Sequence, residues 1–120
     1  MKLPLQEAGH EALREELSRW DGYVSSALLG VESVRACARY GPEYAALARS
    51  WLEGVALIPL DDAVVDAAAA LEPQTLRSLD ALHLATAVSV GEDVGVFVAY
   101  DERLIDAARN HGLEAMAPTA

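Results

Sequence analysis

The sequence predicts an α/β fold: a three-layer α/β/α sandwich around a central parallel sheet. Short apolar runs alternate with segments of helical periodicity. Those runs are continuously apolar rather than alternating, as strands covered on both faces are. At 120 residues the chain is long enough for one real core and too short for two, so residues 1–120 read as a single domain. No repeat, linker or low-complexity tract interrupts it.

The elements follow in order. Leu13, Leu17 and Trp20 make an apolar stripe, and the acids at 7, 11, 15 and 16 suit the opposite, solvent side, predicting a helix over 6–19. Y-V-S-S-A, 23–27, reads as a brief strand. A helix over 28–40 stops at Gly41-Pro42, and Pro42 opens the next, over 43–52, which Gly54 ends. V-A-L-I-P-L, 55–60, has the β-branched content of a buried strand. Asp61 or Asp62 caps a helix through Leu71, and E-P-Q-T breaks it. Ser78 is the expected cap of a helix to Val90. V-G-V-F-V-A-Y, 94–100, is the clearest strand. A last helix, 102–110, ends at Gly112 as a C′ glycine, and E-A-M-A forms a short final strand.

Composition excludes several functions. Nineteen acids against nine bases give a formal charge of −10, which argues against general electrostatic attraction to nucleic acid. It does not exclude nucleic acid as a substrate, because a bound cation can bridge an acidic site to a phosphate. The one cysteine, Cys37, lies among Val34, Ala36 and Ala38 and reads as a reduced, packed thiol of a cytoplasmic protein. No apolar run approaches the ~20 residues of a membrane span. No P-loop or glycine-rich cradle appears, which weakens a receiver-like or other phosphoryl-transfer reading.

Three acids stand out. In S-L-D-A-L-H-L-A, Asp80 sits among Leu79, Leu82, Leu84 and Ala85, where few directions lead to water. A carboxylate taken out of water costs several kcal/mol unless it is paired, protonated or bound to a cation. Asp101 follows the strongest strand, at the edge of a parallel sheet where ligands sit. Glu32 is flanked by aliphatics in L-L-G-V-E-S-V-R-A. Each acid also has an ordinary reading: a first-turn acid favoured by the helix dipole for Asp80, an N-cap for Asp101, an i,i+3 pair with Arg35 for Glu32. His83 reads as a packed or surface histidine, since no Cys or second His stands at zinc-ligand spacing. Three carboxylates meeting at one sheet edge would repel one another. A divalent cation compensates, and oxygen-only ligands point to Mg²⁺ or Mn²⁺. Such an ion supports in-line attack of water on phosphorus.

The stretches S-S-A-L-L-G-V-E-S-V-R-A, L-R-S-L-D-A-L-H-L-A-T-A and V-F-V-A-Y-D-E-R-L-I-D-A-A-R-N-H-G-L resemble the PIN-domain ribonucleases of the VapC toxin type, in order and spacing over essentially the whole chain. The resemblance implies a Mg²⁺- or Mn²⁺-dependent endoribonuclease, part of a toxin–antitoxin pair, cutting structured RNA such as tRNA or rRNA. It also implies a cognate VapB-type antitoxin and a homodimer. On the matching positions, Glu32, Asp80 and Asp101 carry the family's metal-binding acids. Arg35 and Arg39 share a helical face with Glu32, and either orient it or receive the antitoxin's acidic tail. Arg103 either contacts RNA phosphate or pairs with Asp106.

Two departures from the family pattern matter. The family begins with a strand ending in an aspartate, the first of its four site acids. Here M-K-L-P-L-Q-E-A-G-H looks like the segment just after that strand, which places the expected natural start ~10 residues upstream, about a strand and its turn. Without that strand, exposed sheet edges invite pairing with another chain, and the alternative function is a catalytically impaired PIN-like protein that acts by binding an antitoxin or other partner. Ala99 also stands where a hydroxyl often precedes Y-D.

Overall fold

The computed structural model describes residues 10–20 and 22–118. Six α-helices and four strands follow one another: α1 (His10–Ser18), β1 (Tyr23–Ser26), α2 (Leu28–Ala38), α3 (Pro42–Leu52), β2 (Val55–Ile58), α4 (Asp62–Ala70), α5 (Ser78–Val90), β3 (Phe97–Val98), α6 (Glu102–Asn110) and β4 (Ala115–Met116). Both strand pairs are parallel, so the chain is of the expected α/β class. It divides into two compact units, one running to Ile58 and one spanning Pro59–Ala117. Residues 6–9 of the first expected helix, and the opening segment read as following the missing strand, lie outside the described residues.

In the first unit β1 pairs with β2 in register from Tyr23↔Val55 to Ser26↔Ile58, and the Ala27 N–H donates to the Ile58 carbonyl at 2.8 Å beyond it. Parallel strands need a crossover, supplied here by α2 and α3. Gly30 lets α2 approach β2 closely: a Cβ there would lie 3.3 Å from Leu57 Cδ1. The buried residues of the helix pair, Ser33, Cys37, Ala45 and Ala48, are all small. Cys37 is fully buried, as expected of a packed cysteine. Pro42 opens α3 after Gly41, whose φ of 134° disfavours any residue with a Cβ.

Glu16 corrects one expectation. It is buried at 7 % exposure, not on the solvent side. Burial is tolerated because its carboxylate accepts from the Trp20 indole N–H at 2.8 Å and pairs with the Arg19 guanidinium at 3.2 Å.

In the second unit β3 and β4 flank α6 in sequence and pair with each other, Phe97↔Ala115 and Val98↔Met116. α6 is strongly amphipathic: Leu104, Ile105, Ala107 and Ala108 are buried, whereas Glu102, Arg103, Asp106 and Arg109 face water. With Leu84 and Ala115 they form the core, ringed by Leu71, Leu76, Phe97 and Leu113. α6 ends in a Schellman motif. The Leu113 N–H donates to the Ala108 carbonyl and the Gly112 N–H to that of Arg109, each at 3.0 Å, with Gly112 at φ 87°. Asp61 is the α4 cap, accepting from the Val64 N–H at 2.9 Å.

Several boundaries differ from expectation: α2 ends at Ala38 rather than at 40, and β2 at Ile58 rather than at 60. Only Phe97–Val98 of the 94–100 run is strand. Gly91–Asp93 form a 3₁₀ turn closed by the Val94 N–H, and β4 offers only two residues to pair with. Ser78 is the first residue of α5 rather than its cap. The extended Arg77 (φ −62°, ψ 146°) takes the cap position, and its own side chain makes no cap hydrogen bond. Among the described residues no helix is long and apolar enough to cross a membrane.

Candidate acidic site

Asp101 is the best-defined of the three acids. β3 delivers the chain to it, and α6 begins one residue later. Its Oδ1 accepts from the backbone N–H groups of Arg103, at 2.8 Å, and Leu104, at 3.3 Å. The ordinary reading as a cap is therefore realised. It does not compete with ligation, because the cap uses Oδ1 alone and the side chain is exposed.

Asp80 lies in the first turn of α5, at the positive end of that helix dipole. It is half-buried, not enclosed by leucines. Leu79 beside it is 49 % exposed, so the apolar sequence does not mean an apolar surround. His83, one turn on, is also half-buried. Glu32 belongs to the first unit, exposed on α2 next to Val31, itself 58 % exposed.

Asp80 and Asp101 stand at the N-terminal ends of two second-unit helices, α5 and α6. A cavity of about 400 Å³ lies at the C-terminal ends of those helices, lined by Val88, Val94, Gly95, His111 and Glu114 among others. Those residues close α5 and α6 and precede β3 and β4. The starts of α5 and α6 lie a helix length away, about 20 Å and 14 Å respectively. The cavity is therefore not the acidic site. His111, at its rim, bonds through Nε2 to the Glu72 carbonyl at 2.8 Å.

Among the described residues no group of three or more His, Cys, Asp or Glu is gathered so as to hold a metal ion. Each of the three acids taken singly offers carboxylate oxygens, the donor type that hard cations take. Sequence reasoning gave Tyr100 no role of its own. It precedes Asp101 with its ring 40 % exposed, and partial burial raises its phenol above the ordinary value of 10.0. Nothing in the apolar run 94–100 signals that exposure.

Comparison with known proteins gives a consistent answer. The PIN domain family matches residues 3–110, a span that runs through both units. The chain is 40 % identical over 119 residues to Ribonuclease VapC46 of Mycobacterium tuberculosis (strain ATCC 25618 / H37Rv), covering 99 % of this chain and 92 % of that protein. It is 38 % identical over 124 residues to Ribonuclease VapC47 (strain CDC 1551 / Oshkosh), covering 99 % and 91 %. Ribonuclease VapC35 is 39 % identical over 107 residues, 88 % of this chain and 76 % of that protein. No solved structure matches. With the α/β fold and its parallel strands, these likenesses place the chain in the PIN-domain family, among the VapC-type ribonucleases.

Proposed function

We propose that this chain is a metal-dependent endoribonuclease toxin of a VapBC-type toxin–antitoxin system, hydrolysing phosphodiesters of tRNA or rRNA. The observation that carries the reading is the 40 % identity, over 99 % of the chain, to a protein named as a VapC ribonuclease. On this reading Asp80 and Asp101 of the second unit, and Glu32 of the first, would each offer carboxylate oxygens to Mg²⁺ or Mn²⁺. When bound, such an ion stabilises charge on a phosphate and acidifies a water for attack.

The chain's own residues prepare that chemistry. The α6 cap fixes the Asp101 carboxylate at the end of β3 while sparing one oxygen. The α5 dipole attracts the Asp80 charge, and partial burial strengthens its electrostatics relative to open water. Glu32 adds a third carboxylate from α2. The reading expects a cognate VapB-type antitoxin, a homodimer and a cytoplasmic setting.

The test is Mn²⁺-dependent cleavage of tRNA or rRNA by the purified chain. Asp80→Asn is expected to lower the rate by roughly a hundredfold or more. Cleavage unaffected by that change, or by a chelator, would contradict the reading.

A further inference from the structure

Arg35 and Arg39 follow Glu32 on α2 by three and seven residues. At 3.6 residues per turn the three positions fall within an arc of about 60°, and the two arginines stand about 6 Å apart along the axis. All three side chains are exposed. Tyr40, just past the helix end and about 100° round the axis from Arg39, is 65 % exposed. Its ring makes an edge contact with Tyr44, centroids 6.2 Å apart at 65°, which steadies it while leaving most of it in water.

A cation in the last turn is favoured by the helix dipole. That, with an i,i+3 pairing of Arg35 to Glu32, leaves unexplained why Arg39 shares the same face and why the large aromatic ring that follows it stays in water. In a chain of formal charge −10, RNA gains nothing from overall attraction and has to be gripped locally. Guanidinium groups hold phosphates through two bonds, and an exposed aromatic ring stacks a base of any identity. We propose that Arg35, Arg39 and Tyr40 form a track for a single-stranded segment of substrate RNA, leading away from Glu32 along α2. The choice of RNA as ligand rests on the ribonuclease reading. An acidic polypeptide is the competing occupant.

The experiment measures binding of an oligouridylate by fluorescence anisotropy in a chelator, across a series of salt concentrations, so that it needs no cleavage. R35Q/R39Q is expected to reduce the slope of log affinity against log salt by about 1.4, two single-strand phosphate contacts. R35K/R39K is expected to keep the slope. Tyr40→Ala is expected to weaken binding about tenfold, and Tyr40→Trp to retain it. Circular dichroism is expected to be the same for all four. A wild-type chain that binds RNA without cleaving it leaves the track standing and removes the enzyme. Cleavage with an unchanged salt slope in R35Q/R39Q overturns the track alone, as does a wild-type chain without salt-dependent binding. Loss of polyglutamate binding in R35Q/R39Q with RNA affinity intact would assign the stripe to a polypeptide and also overturn it.

Discussion

The Asp101 carboxylate accepts a hydrogen bond from the backbone N–H of Leu104 at 3.3 Å, and so starts the helix that carries most of the second unit's core. The proposed function gives the same side chain a chemical role beside this structural one, and two substitutions separate them. Asn caps as well as Asp but carries no charge. Asp101→Asn is expected to hold stability within a few tenths of a kcal/mol while abolishing Mn²⁺-dependent cleavage. Asp101→Ala is expected to abolish cleavage and also to cost about 1 kcal/mol. Thermal melts beside cleavage assays decide it. Cleavage retained by Asp101→Asn would reduce the residue to a cap.

Ser33 gives a prediction of opposite sign. It is 1 % exposed on α2, one turn before the fully buried Cys37, and its hydroxyl has no hydrogen-bond partner among the described residues. A buried hydroxyl without a partner retains its desolvation cost. Ser33→Ala removes that cost with little change of shape and also suits a helix better. A gain of about 1 kcal/mol in denaturant unfolding is expected. A loss of stability would show that the hydroxyl is satisfied in solution.

Tyr100 gives a prediction at alkaline pH. Burial raises its phenol above the ordinary value of 10.0, so the folded state holds the proton more tightly than the unfolded state. Its stabilising effect is complete below the unfolded value and is lost as pH rises through the raised folded value. Stability is expected to fall above about pH 10 and to fall less steeply in Tyr100→Phe. Melts between neutral and alkaline pH measure this. Equal slopes for the two proteins would remove the residue from consideration.

Much of this was legible in the sequence because local rules and tertiary demands agreed. Gly112 ends α6 where a C′ glycine was expected, and Asp61 caps α4. Pro42 opens α3, and the 102–110 helix has its expected bounds. What failed depended on neighbours. The run 94–100 is apolar throughout, but strand length is set by the partner, and β4 is two residues long. Glu16 looked like a solvent-side acid because periodicity cannot see the Trp20 indole that bonds it. The leucines around Asp80 suggested enclosure, yet Leu79 stands in water. Motif spacing singled out the three acids. It did not give their side-chain environments, since exposure depends on which faces other elements cover.

The most direct measurement is calorimetric titration of Mn²⁺ into the wild-type chain and into the triple variant Glu32→Gln, Asp80→Asn, Asp101→Asn. The expected result is saturable binding by the wild type and none by the triple variant, with both equally folded by circular dichroism. Saturable binding of equal affinity in the triple variant would mean that these three carboxylates do not hold the ion.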